Sequence, residues 1–173
     1  MNKNKHFGLK KLIPCYTEEG RCKYCRQPYE LAMLSIIPNA WALADKVLEP
    51  VRERYGKPIK VKRCFLCHRK MKKVRQKEND RYGYYYESEV DVADYLRGEA
   101  ADICALRGTK DSEFQGSRDE VIRNENLKIG QLIEELGEFD QLVYEDCDEQ
   151  GRPAWIHVTY KRNRENRRMV LKR

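Results

Sequence analysis

Two cysteine pairs carry the sharpest chemical signal in the chain, Cys22-Lys23-Tyr24-Cys25 and Cys64-Phe65-Leu66-Cys67. A two-residue separation lets a tight turn aim both thiolates at one tetrahedral ion, which is the ligand spacing of a structural zinc site. The 38 residues between the pairs exceed the usual finger spacing, so only the folded chain can join them. Cys15 and His68 are spare ligands nearby. The competing readings are buried free thiols, or two pairs that sit apart. Seven cysteines cannot all pair as disulfides. No signal peptide is read at the basic start, so metal binding or free thiols are favoured over a disulfide framework.

A second constellation is Tyr95-Leu96-Arg97-Gly98-Glu99-Ala100-Ala101-Asp102-Ile103, followed much later by Trp155-Ile156-His157-Val158. On a strand, Trp155, His157 and Thr159 share one face. An Asp and a His on neighbouring strands can jointly hold a catalytic metal. Taken alone the signal is weak, because a single strand histidine is more often a hydrogen-bonded structural residue.

The elements that must position these residues follow from punctuation and periodicity. Residues 1–37 read as an irregular, cysteine-containing lead-in and 38–173 as one domain. Asn39 reads as a helix cap. Ala44, Val47, Leu48, Val51 and Tyr55 follow at helical spacing up to Gly56, with a kink expected at Pro50. Ile59-Lys60-Val61 alternates as a strand. Residues 68–92 are basic and then tyrosine-rich (Tyr82, Tyr84, Tyr85, Tyr86), and read as a loop. Glu99–Cys104 is a strand. Ser117 with Glu120 forms a capping box for a helix that stops at Gly137. Phe139–Glu145, Trp155–Tyr160 and Arg168–Leu171 are strands, the first two joined by a turn at Gly151-Arg152-Pro153. The fold class expected is α+β, an antiparallel sheet flanked by helices.

At 173 residues, with 40% hydrophobic and 36% charged residues, the chain supports one modest core. No apolar run approaches a membrane span, so no membrane partner is expected, and a cytoplasmic location is read as encoded. The net charge of +7 is uneven. Residues 1–80 carry +12, residues 81–150 carry −12 and residues 151–173 carry +7, and Lys57–Lys77 holds ten basic residues and no acid. Such a block attracts a polyanion, either nucleic acid or an anionic cell-wall polymer.

The segments also resemble the zinc D-alanyl-D-alanine carboxypeptidase-like family of murein peptidases. The matching runs are Val47-Leu48-Glu49-Pro50-Val51-Arg52 with Gly56-Lys57-Pro58-Ile59, then Gly98-Glu99-Ala100-Ala101-Asp102-Ile103, Phe139-Asp140-Gln141-Leu142-Val143-Tyr144-Glu145, Trp155-Ile156-His157-Val158-Thr159-Tyr160 and Asn166-Arg167-Arg168. They keep the family's order from about Pro38 to the C-terminus. The resemblance implies a Hedgehog/D-Ala-D-Ala carboxypeptidase-like fold, and a catalytic zinc held by a Ser-x-His-x-x-Gly-x-Ala-x-Asp pattern and a Trp-x-His strand. Asp102 and His157 fall on two of its ligands.

Tyr95 falls where the first ligand His belongs, and Ala93 where the Ser belongs. Leu66 stands at the place of the Arg that helps hold substrate. The general base falls best on Glu145 and less well on Glu149, since Ala154 stands three residues before His157. The resemblance therefore implies a family fold with a degenerate zinc site, with structural zinc at Cys22, Cys25, Cys64 and Cys67 and a retained affinity for cell-wall peptide. Two alternatives stand beside it. One is an active phage-type peptidase with an altered site, completed by a group such as His68, reaching the wall only after lysis or through a partner. The other is a zinc-containing nucleic-acid-binding module.

Overall fold

A computed structural model describes residues 5–15, 21–26, 34–82, 89–106 and 117–173. Tyr84–Tyr86 and parts of the lead-in, including Gly20 and Pro28, lie outside the described residues. The lead-in contains a four-residue helix, α1 (Leu9–Leu12). Its start is clamped by Glu49, whose carboxylate accepts from the His6 and Phe7 amides at 2.7 and 2.9 Å and meets His6 Nδ1 at 2.7 Å.

A helical rod follows: α2 (Ile36–Leu43), a π-helical stretch Ala44–Leu48, and α3 (Glu49–Tyr55). Pro50 lacks the amide that an α-helix needs, and its ring collides with the carbonyl four residues back. The wider π turn directly before it absorbs both problems, so the expected kink takes this form. Asn39 is not the cap. It lies buried inside α2, where its Nδ2 donates to the Arg97 carbonyl at 3.1 Å.

The remaining elements are β1 (Ile59–Arg63), α4 (His68–Tyr82), α5 (Glu89–Arg97), β2 (Ala100–Ala105), α6 (Arg118–Leu136), β3 (Gln141–Glu145), β4 (Trp155–Thr159) and β5 (Met169–Lys172). Residues expected to form a loop at 68–92 are thus two helices, apart from 83–88, which lie outside the described residues. The Ser117 hydroxyl accepts from the Glu120 amide at 3.3 Å, and α6 ends at Gly137 as its sequence signals require.

The sheet runs β1-β2-β4-β3-β5. Pairings β1·β2, β2·β4 and β3·β4 are antiparallel, but β3·β5 is parallel. The departure arises because the chain after β4 crosses the start of β3 instead of turning back beside β4. Asp140, fully buried there, accepts from Arg164 at 2.7 and 2.9 Å and from Arg167 at 2.8 Å, which fixes the crossing.

Alternation along the strands separates two faces. Ala101, Ile103, Leu142, Tyr144, Ile156 and Val158 join the main core together with Ile129 and Ile133 of α6. A Cβ on Gly130 would lie 2.3 Å from the Tyr144 ring, so this close helix–sheet approach requires glycine. The opposite face carries Asp102 and His157 and lies against a smaller cluster of Leu66, Met71, Tyr95 and Ala100. Gly98 links α5 to β2 at φ +71°, and a Cβ there would stand 2.8 Å from the Ile36 carbonyl oxygen. That turn brings Tyr95 back over Asp102.

Candidate functional site

Asp102 and His157 are direct partners in the β2·β4 ladder, so their side chains share a face at the shortest cross-strand separation. Tyr95 of α5 comes down onto the pair. Its hydroxyl donates to Asp102 Oδ1 and lies 2.8 Å from His157 Nδ1, and the same Nδ1 is 3.1 Å from Asp102 Oδ1. The tyrosine and imidazole rings meet edge-on at 5.4 Å. Arg63 is opposite Asp102 in the β1·β2 ladder just past a register shift, and its Nε stands 3.5 Å from Asp102 Oδ2. Its guanidinium lies 5.6 Å from the Tyr95 ring centre.

All three central residues are buried, at 1% exposure for Tyr95, 6% for Asp102 and 4% for His157. Burial pushes the Asp102 carboxyl up, but His157, Arg63 and the Tyr95 hydroxyl outweigh it, and the group is held below the usual carboxylate range. Leu66 packs in the same small cluster as Tyr95. Asp102, His157 and Tyr95 are therefore brought together in a hydrogen-bonded triad through Oδ1, Nδ1 and the phenol, and the buried Nε2 of His157 takes no part in it.

Fit to a hydrolytic zinc is poor on these observations. Such an ion needs three protein ligands and one open position. Here the donor set is one carboxylate, one imidazole and one phenol, and the phenol proton must be removed before it can bind metal, against an ordinary pKa of about 10. The phenol, the carboxylate oxygen Oδ1 and the imidazole Nδ1 are bonded to one another.

Of the candidate bases, Glu145 is on the same sheet face as His157, diagonal to it across the β3·β4 ladder. Glu145 pairs with Trp155 in the β3·β4 ladder, while Val143 is the residue opposite His157. The Glu145 carboxylate lies 3.5 Å from Arg173 Nη1. Glu149 is exposed in the turn, and His68 is exposed at the start of α4.

The cysteines regroup. The sulphurs of Cys15, Cys22 and Cys67 lie within 4.8 Å of one another, all three residues are buried, and they form a group that could hold a metal ion. Cys25 is not in that group and follows Cys22 by three residues in the same turn. Cys64 is not in the group and is fully buried. The second pair was expected to turn like the first. Instead residues 64–67 carry no regular structure, and the Phe65 amide donates to the Leu12 carbonyl at 3.0 Å, which holds this stretch along α1. The first pair does turn. The Arg26 amide donates to the Cys22 carbonyl at 2.9 Å, and Arg26 takes a left-handed φ of +63°.

The thiols differ in acidity. Burial pushes Cys22 up, but the Cys25 and Tyr24 amides and the Cys25 and Cys67 thiols donate to its sulphur and bring it down to about 7. Burial pushes Cys67 up to about 11, against the opposing Lys70 amide, and pushes Cys15 up as well. Burial, with the Asp102 charge adding to it, holds Cys64 up at about 12.

A groove of about 400 Å³ runs beside β1, which is at the edge of the sheet, and is lined by Lys10, Lys11, Lys60, Lys62 and Arg63, with no acidic residue among the described residues that line it. The Lys62 ammonium stands 4.1 Å from the Trp155 ring centre. A second hollow, of about 380 Å³, is occupied by interlocked charges: Lys161 Nζ contacts Asp94 at 2.5 Å and Glu99 at 2.9 Å, and Arg97 pairs with both acids.

Sequence reasoning missed Arg63, whose role depends on a ladder register with a local shift that no spacing reveals. It held Cys15 only as a spare ligand. Among the described residues no helix is long and apolar enough to cross a membrane. No family model matches the chain, and neither the curated proteins nor the solved structures contain a match to it.

Proposed function

We propose that this chain is a murein-peptidase-like domain whose hydrolytic centre has become a buried structural triad. On this reading it binds cell-wall peptide or another anionic polymer without cleaving it, and zinc at the N-terminal thiols is structural. The observation that carries the reading is the Tyr95 hydroxyl, bonded at once to Asp102 and His157, two of the three ligands a hydrolytic zinc would need. Zinc chemistry lowers the pKa of a bound water only where an open coordination position exists. Leu66 adds a second loss, since no guanidinium at that position clamps a substrate carboxylate. The groove of Lys10, Lys11, Lys60, Lys62 and Arg63 supports the anionic-polymer part.

The test is hydrolysis of D-alanyl muropeptides with added zinc, run side by side on the natural protein, Tyr95→His and His157→Ala. The expected outcome is no turnover by the natural protein, with increased zinc affinity in Tyr95→His. Robust cleavage abolished by His157→Ala would overturn the reading in favour of an active peptidase with an altered site.

A second reading, a zinc-containing nucleic-acid-binding module, is favoured by the same basic groove. It predicts a mobility shift with single- or double-stranded nucleic acid that weakens steeply as salt rises, because each neutralised phosphate releases a counterion. Binding absent at low salt removes it.

A further inference from the structure

We infer that Cys15, Cys22, Cys25 and Cys67 form a closed tetrathiolate site for one zinc ion, and that Cys64 lies outside it. The inference rests on the reading that this chain's zinc is structural, and names its ligands.

Geometry carries it. In a tetrahedral zinc–thiolate site the bonds are about 2.3 Å, so neighbouring sulphurs stand about 3.8 Å apart. The sulphurs of Cys15, Cys22 and Cys67 already lie within 4.8 Å of one another, so metal binding needs only a small contraction. Cys25 is the fourth ligand by its turn: the Arg26 amide closes on the Cys22 carbonyl at 2.9 Å, and the two-residue spacing aims the Cys25 thiol at the ion that Cys22 holds. Cys64, fully buried, is not in the group of three.

Cys67 directly precedes α4, so a thiolate there sits at the positive end of that helix. Four soft thiolates in a tetrahedral arrangement select zinc or iron among common metals. With all four positions filled by protein, such a site has no room for a reacting water and serves folding.

The site also solves a problem of assembly. A four-residue helix has no stability of its own, and the lead-in is short. Closing a ligand set drawn from residues 15, 22 and 25 onto residue 67 ties the lead-in to the start of α4. It thereby holds the stretch that carries Leu66 over Tyr95.

The test is metal analysis of the natural full-length chain, purified under reducing conditions, with Co²⁺ replacing zinc to count thiolates from its visible and charge-transfer bands. One zinc per chain is expected, with Co²⁺ bands of a four-thiolate tetrahedral site. Cys15→Ser and Cys25→Ser are each expected to lose zinc on dialysis, and Cys64→Ser to retain it with an unchanged Co²⁺ spectrum. Should Cys15→Ser fail to fold, Cys15→His supplies a replacement ligand, and is expected to keep the metal with a spectrum shifted to three thiolates and one nitrogen. Zinc kept by Cys15→Ser and lost by Cys64→Ser would overturn the ligand set while leaving structural zinc standing. A natural protein with no zinc, or with Cys22 and Cys25 joined as a disulfide, would overturn both.

Discussion

Replacing Tyr95 by Phe removes one hydroxyl and leaves the ring that packs with Leu66 and Met71. The lost group donates to a buried carboxylate, and a hydrogen bond to a charged partner contributes about 1.5–3 kcal/mol. The His157–Asp102 contact of 3.1 Å and the Arg63 contact of 3.5 Å remain, so no uncompensated charge is left behind. The expected loss is therefore about 2 kcal/mol, which for a chain of this size lowers the melting temperature by about 4–8 °C. The loss should depend on pH. Asp102 is held below its usual range in the folded protein, so its contribution is fully present above the ordinary carboxyl value of about 3.9 and fades as pH falls through the depressed one. Tyr95→Phe reduces that depression, so the gap between the two proteins should narrow in acid and the acid unfolding midpoint of the variant should rise. Urea denaturation from neutral pH downward, with and without chelator, reads both effects. A difference below about 0.5 kcal/mol, or one that disappears under chelator because Tyr95 had been a metal ligand, would refute the triad.

Gly98→Ala combines a left-handed φ of +71° with a Cβ only 2.8 Å from a backbone oxygen that cannot swing aside. It should cost at least about 2 kcal/mol by chemical denaturation. Asp140→Asn removes the charge that two arginines clamp and should cost about 3 kcal/mol at neutral pH. Because the Asp140 carboxyl is held well below its usual range, chiefly by Arg167 and Arg164 against the burial that pushes it up, the difference should persist to lower pH than for an ordinary carboxylate.

Much of the frame was legible. Ser117 and Gly137 bracket α6 because caps act locally. The strands around Asp102 and His157 announce themselves by apolar runs, and Gly98 marks the turn that carries Tyr95 back beside them. The helices at 68–82 and 89–97 were not legible, for a physical reason. Among described side chains α4 buries Met71 and half-buries Val74, too few for an apolar period amid basic residues. α5 buries Asp94 beside Tyr95, and a buried acid reads as a solvent-facing one until its partner Lys161 is known. The cysteines show the same limit. Two-residue spacing marks a turn only when the chain turns, and the run 64–67 is held along α1 by the Phe65–Leu12 bond. Cys15, seven positions before Cys22, had no spacing to announce it.

The most direct measurement is the zinc count per chain of the natural protein against His157→Ala, by elemental analysis after exhaustive dialysis. If the Asp102–Tyr95–His157 centre is a structural triad, both proteins hold the same single zinc, bound at the thiols. A natural protein with a second zinc that His157→Ala loses would show that this centre is a working metal site, and would contradict the account.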